Sequence, residues 1–177
     1  RDEGMAELLP ACNTVIFDEA HHLHEVATLF FGETVSTAQV IDLARDARAE
    51  GLINARDCLD LQEGTRKLEK VAKDMRLTVG IDAGRFSYGQ LQEKPEFMPA
   101  LDTLHAEVSA FAAILETQAE RSEGLEKCWQ RALELAERLA RWQMNNDPGV
   151  VRWAEAFTHS LQLTATPLDV ADIFRKQ

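Results

Sequence analysis

The spacing of apolar and polar positions divides this chain into a short strand, a series of amphipathic helices and a terminal hairpin. Asn13 to Phe17 form a β-branched and aromatic run after Pro10, closed by two acids, which suits a buried strand. From Ala20 to Phe31, Leu23, Val26, Ala27, Phe30 and Phe31 recur at three- and four-residue steps, so a helix is predicted that Gly32 stops. Thr34 and Val35 add a brief strand. Ser36 or Thr37 then caps a helix running through Val40, Ile41, Leu43, Ala44 and Ala47 to Gly51. The next helix covers residues 57–79, with Leu59, Leu61, Leu68, Val71, Ala72 and Met75 as its core positions. Gly64 weakens it near its middle, and Gly80 ends it.

Between Gly80 and Pro99 the turn residues Gly84, Gly89, Pro95 and Pro99 prevent any long element, leaving either a functional loop or a small irregular region. Two long amphipathic helices follow, over residues 99–120 (Leu101, Leu104, Val108, Phe111, Leu115) and 124–144 (Leu125, Trp129, Leu133, Ala136, Leu139), the second capped by Ser122. After Pro148 and Gly149 the period changes to two. Val151, Trp153, Glu155 and Phe157 share one face of a strand, and Leu161, Leu163 and Ala165 one face of the next, joined by Thr158-His159-Ser160. Pro167 breaks that hairpin, and Asp169 caps a short helix through Val170, Ile173 and Phe174.

Composition narrows the function classes. Of 177 residues, 45% are hydrophobic and 28% charged, as in a soluble globular protein, and no apolar run approaches the ~20 residues of a membrane span. The formal net charge of −11 excludes a surface that attracts phosphate everywhere, so any nucleic-acid contact is local. Cys12, Cys58 and Cys128 show no CxxC spacing, which speaks against a zinc knuckle or a disulfide framework and for a reducing cytoplasm. The first residue is Arg1 rather than Met, so the native N-terminus is expected upstream.

The stretch that carries chemistry is Val15-Ile16-Phe17-Asp18-Glu19-Ala20-His21. Two adjacent carboxylates held rigidly at the end of a buried strand can sit in the shell of a Mg²⁺ and polarise an attacking water. The segment resembles a Walker B motif in its DEAH form. Leu8-Leu9-Pro10 before it, His22-Leu23 after it and Thr166-Pro167-Leu168-Asp169-Val170-Ala171 near the end are similar to the DinG/YoaA-like, XPD-related superfamily 2 DNA helicases. That resemblance implies a mainly α fold: a helical arch-like insertion domain, a short β-hairpin and a fragment of a RecA-like motor-domain strand. It divides the chain into 1–31 (end of motor domain 1 with the DEAH box), 32–149 (arch) and 150–177 (returning hairpin). It also implies that Asp18 binds Mg²⁺, that Glu19 activates water, and that His21 links nucleotide state to motor movement.

What the resemblance implies for the parent is ATP-driven 5′ to 3′ translocation on single-stranded DNA in repair or replication, alongside replication or repair proteins. No Gly-x-x-x-x-Gly-Lys-Ser/Thr occurs in the chain, and its cysteine spacing cannot hold a 4Fe–4S cluster, so both are expected upstream and the fragment alone is expected to be inactive. Leu163-Thr164-Ala165-Thr166 looks like helicase motif III, but the Pro-Leu-Asp that follows assigns Thr164 and Thr166 to a strand.

Other constellations have plainer readings. His21, His22 and His24 near Asp18 and Glu25 have metal-ligand chemistry, yet adjacent histidines on a helix diverge by roughly 100°. Glu19-x-x-His22 matches one step of a di-iron bundle, and its only companion is Asp102-x-x-His105. Arg66, Lys67, Lys70, Lys73, Arg76 and Arg85 form a basic stripe on an acidic chain, either an ordinary solvated helix face or phosphate contacts, with Phe86 or Tyr88 as base-stacking rings. Trp129, Trp142 and Trp153 read as core. The competing function class is a non-catalytic helical protein-interaction module in which Asp18 and Glu19 merely cap a helix.

Overall fold

The computed structural model describes residues 32–80, 82–144 and 148–167. The strand read at 13–17, the helix at 20–31 and the short helix after Asp169 lie outside those residues. In chain order the elements are β1 (Glu33–Ser36), α1 (Thr37–Asn54), α2 (Leu59–Leu77), β2 (Gly84–Ser87), α3 (Tyr88–Gln92), α4 (Phe97–Glu116), a 3₁₀ turn at Ala119–Arg121, α5 (Glu123–Met144), β3 (Val150–Ala156) and β4 (Leu161–Pro167). The fold is mainly helical with a small antiparallel sheet.

The four long helices pack in a ring, α1 on α2, α2 on α4, α4 on α5 and α5 on α1. Each neighbour runs opposite to the last. Gly51 near the end of α1 meets Leu61 at the start of α2, and Gly64 of α2 meets Phe111 late in α4. Asp102 early in α4 accepts from Gln143 late in α5, and Arg131 of α5 pairs with Asp46 of α1 at 2.5 Å. The sheet lies where α1 begins and α5 ends.

Strand order is β1-β4-β3-β2, with every neighbour antiparallel. Val35, Leu163, Ala154 and Phe86 stand opposite one another across the ladder and so share a face. That face joins the helices in one hydrophobic core containing Leu43, Leu68, Phe97, Phe111 and Trp142. The hairpin read at the end of the chain is therefore the middle of a four-stranded sheet.

Helix termini follow local chemistry. Ser36 caps α1 in a reciprocal box with Gln39, whose backbone N–H donates to the Ser36 hydroxyl at 3.3 Å while its side chain accepts from the Ser36 N–H at 2.8 Å. Gly51 does not end that helix. An added Cβ there would lie 2.7 Å from Leu61, so the glycine permits a close approach of α2 and the helix continues to Asn54. Gly80, at φ 91°, does terminate the next segment. The Ser122 hydroxyl accepts from the Leu125 N–H at 3.1 Å, capping α5 as its position suggested. Pro99 falls within the first turn of α4, where no backbone donor is needed, so this helix starts at Phe97.

Several readings need correction. Within 80–99 only the short β2 and α3 form before α4 begins at Phe97, so the stretch holds no long element but has more regular structure than a loop; a four-residue strand containing glycine exists only because β3 pairs with it. Leu59 is 73% exposed and Leu133 42% exposed, so neither is core. The buried line of α5 is instead Leu125, Cys128, Ala132, Leu135, Leu139 and Trp142. On β3 the inward face carries Ala154 and Ala156, while Val151 and Phe157 are exposed and Trp153 stands on the side away from the helices. Alternation has period two on either face, and the small alanines fit beneath the bundle. Thr164 and Thr166 are strand residues of β4, both buried.

A four-helix bundle is thus present, but its interior is apolar. Among the described residues no buried Asp, Glu or His occurs, and no group of three or more His, Cys, Asp or Glu is placed to hold a metal ion. None of the described helices is long and apolar enough to cross a membrane.

Candidate nucleic-acid interface

Helix α2 carries most of the basic stripe. Arg66, Lys67, Lys70 and Lys73 are all exposed. Arg66, Lys70 and Lys73 fall at i, i+4 and i+7, which sets them in one line about 10 Å long at 1.5 Å rise per residue. Lys67 reaches Glu63 at 3.0 Å, and that hydrogen bond holds its pKa above the usual lysine value, while Lys73 lies 3.8 Å from Glu69. Among the described residues, Arg66 and Lys70 form no ion pair. These exposed pairs contribute little to stability, so the lysines remain available to a phosphate.

Arg76 is different. It is buried, and its guanidinium donates to the carbonyl of Phe157 at 2.6 Å and of Gly80 at 2.5 Å. It ties the end of α2 to the hairpin turn. On a lone helix its spacing places it with the stripe; the carbonyls it serves become visible only after folding.

Arg85 lies on β2, away from the α2 line, with its guanidinium 5.7 Å from the centre of the Trp153 ring and 3.5 Å from Glu155. Phe86, next along the strand, points to the opposite face, where Lys94 sits 5.2 Å from its ring centre. The Phe86 ring lies across Gly84, 3.8 Å from where a Cβ would stand. Tyr88 is engaged within the fold. Arg152 stacks 3.7 Å from its ring centre, and Trp142 meets it edge-on at 5.7 Å. Arg152 is itself fixed, donating to the Trp142 and Gln143 carbonyls at 2.8 and 3.2 Å at the end of α5. Sequence reading missed Trp153 and Lys94 as partners of this edge. The one available signal was that Trp153 alternates with small residues on its strand.

Trp142 is buried and donates its indole N–H to the Thr164 carbonyl at 3.0 Å, and Trp129 packs against the core. Of the cysteines, Cys128 is buried, its thiol pKa pushed up by desolvation, and Cys58 stands half-buried just before α2. A cavity of about 480 Å³ opens beside β1 and the end of α5, with Arg138 and Arg141 among its lining residues. Both arginines are committed to acids, Arg141 to Glu33 at 2.8 Å and Arg138 to Glu134. Asp18, Glu19 and His21 lie outside the described residues.

No protein-family profile matches the chain. It is, however, similar from end to end to the ATP-dependent DNA helicase YoaA of Escherichia coli K12, 31% identical over 176 residues, which is 99% of this chain and 28% of that protein. It is also 28% identical over 178 residues to the ATP-dependent DNA helicase YoaA of Haemophilus influenzae Rd, covering 100% of this chain and 28% of that one. The chain therefore spans 28% of the length of the curated relatives it matches. The resemblance read from its motifs is to the right relatives, and it extends over the whole chain.

Proposed function

We propose that this chain is a segment of a DinG/YoaA-like ATP-dependent DNA helicase that carries the DEAH box and the helical arch. The observation that supports the reading is the similarity to YoaA over nearly all of this chain, with Asp18-Glu19-Ala20-His21 inside the matched span. Residues 1–31 would complete the first motor domain, 32–149 form the arch, and 150–177 return to the motor. The intact protein would work in the cytoplasm in repair or replication, moving 5′ to 3′ on single-stranded DNA.

In this reading Asp18 holds Mg²⁺ and Glu19 orients and polarises the attacking water, a donor set of hard carboxylate oxygens that suits Mg²⁺. Bound Mg²⁺ supplies charge neutralisation on the phosphates of ATP. His21 passes the nucleotide state to the motor domains. A 4Fe–4S cluster belongs to the parent upstream, not to these residues. Arg66, Lys67, Lys70 and Lys73 on α2, and Arg85 on β2, guide the strand by neutralising phosphates; Arg76 supports the fold beneath them.

The test is nucleotide hydrolysis. The 177-residue chain alone should show no turnover with Mg²⁺ and ATP, because no phosphate-cradling loop occurs in it. The longer protein should show DNA-stimulated hydrolysis that Glu19→Gln abolishes while nucleotide binding persists. Turnover by the chain alone would overturn the first expectation, and a longer protein without DNA-stimulated hydrolysis the second.

One observation favours the second reading, a protein-interaction module. Leu52, Ile53 and Leu59 are 50%, 70% and 73% exposed together at the bundle end away from the sheet. Full hydrolysis by Glu19→Gln in the longer protein would shift the balance to that reading.

A further inference from the structure

Leu52 and Ile53 near the end of α1 and Leu59 at the start of α2 stand well out in solvent, at one tip of the bundle where Gly51 brings α1 against Leu61 of α2. Charge around this tip is unevenly committed. Among the acids between residues 46 and 63, Asp46 pairs with Arg131, and Glu50 accepts from the Ser122 hydroxyl at 3.1 Å and the Asn54 amide at 3.0 Å. Asp57 accepts from Arg121 at 2.5 and 2.9 Å, and Glu63 pairs with Lys67 at 3.0 Å. Asp60 lies in the first turn of α2, where the helix N–H groups attract it. The two arginines of the same stretch, Arg48 and Arg56, are exposed and form no ion pair among the described residues. Arg56 reaches back through Nε to the Leu52 carbonyl, which holds its guanidinium beside the apolar residues.

Helix spacing separates the two populations. Arg48 and Leu52 stand at i and i+4 and share a face, while Asp46 and Glu50, each two residues back, turn about 200° away toward α5. Exposed aliphatic carbon and unpaired guanidinium therefore lie side by side on a chain whose net charge is −11. Aliphatic side chains offer a nucleic acid no stacking plane and no hydrogen bond, whereas a partner with apolar side chains of its own gains by burying them. Arginine matches carboxylates with its fork of donors. An acidic segment is repelled by the rest of this surface and drawn to the tip.

We propose that this tip is a docking site for an acidic peptide segment of another protein, whose bulky apolar side chains cover Leu52, Ile53 and Leu59 and whose carboxylates meet Arg48 and Arg56. The site takes up the three residues of the second reading above and gives their partner a chemistry; it holds equally within a helicase.

The experiment selects binders of the 177-residue chain from a random display library of short peptides, then reads the strongest of them, labelled with fluorescein, by anisotropy. Selected peptides should combine Asp or Glu with Leu, Ile or Phe. Leu52→Ser, Ile53→Ser and Leu59→Ser together should weaken the labelled peptide by roughly tenfold or more. Arg48→Glu with Arg56→Glu should do the same, Arg48→Lys with Arg56→Lys should keep most of the affinity, and added salt should weaken it. All five positions are exposed, so the urea midpoint of each variant should stay near that of the unmodified chain, which separates lost docking from lost folding. Selected peptides that are not acidic, no selected peptide at all, or an affinity that survives the serine or the glutamate changes would each overturn the proposal. So would oligothymidylate or anionic vesicles whose binding the serine changes abolish, since the tip would then belong to nucleic acid or lipid. None of these results bears on the Glu19-dependent hydrolysis that decides the helicase reading.

Discussion

Gly64 sits in the second turn of α2, where an added Cβ would lie 2.7 Å from Phe111 Cδ2 and 2.9 Å from its Cε2. Phe111 is only 1% exposed and has little room to move aside. Alanine improves helix propensity by ~1 kcal/mol, whereas overpacking a filled core costs about 1–3 kcal/mol. The packing term wins, so Gly64→Ala should lower stability, read as a reduced urea midpoint at unchanged slope; an unchanged or raised midpoint would contradict the argument. From sequence alone this glycine looked like a defect in its helix, because propensity is local and the ring it accommodates lies on another helix. Arg76 teaches the same at a charged position: one acceptor, the Phe157 carbonyl, is 81 residues away in sequence. Asp18, Glu19 and His21 stand the other way round, a contiguous sequence pattern that lies outside the described residues.

At the scale of elements, the long helices announce themselves through repeated 3.6-residue periodicity and caps such as Ser36 and Ser122, and their existence needed no tertiary information. The joint between α5 and β3 is another matter. Arg152 from the strand donates to two terminal carbonyls of the helix and stacks on Tyr88, so one cation satisfies orphan acceptors and complements the negative helix end. Arg152→Met should cost about 1.5–3 kcal/mol, the usual range for losing hydrogen bonds to a charged group. Its thermal midpoint should fall, with Arg152→Lys recovering part of the loss; a midpoint equal to that of the unmodified chain would remove Arg152 from this role. Strand β2 was illegible because Gly84 to Ser87 have no strand character of their own, and the inward face of β3 was misread because its alanines are poor markers of burial. Trp153 shows the same difficulty, since it looks like core until the register sets it opposite Ser87 on the outer face.

For the whole molecule, bundle and sheet share one core that includes Val35, Ala154, Leu161 and Leu163 with the helix interior. The incoming strand β1 also pairs directly with the outgoing strand β4, Glu33 opposite Ala165. A piece comprising residues 32–167 should therefore unfold in a single transition, with far-ultraviolet dichroism and tryptophan fluorescence coincident in urea. Two separated transitions would mean that sheet and bundle are independent units. The first and last described strands, β1 and β4, therefore lie side by side. The sequence by itself determined the helices, their caps, the acidic balance, the hairpin and the DEAH-like segment, all of which depend on neighbours within a few residues. Tertiary structure alone decided which way Arg76 and Trp153 face, that Gly51 and Gly64 are contact points, and that β2 exists, because each depends on a partner that only folding brings within reach.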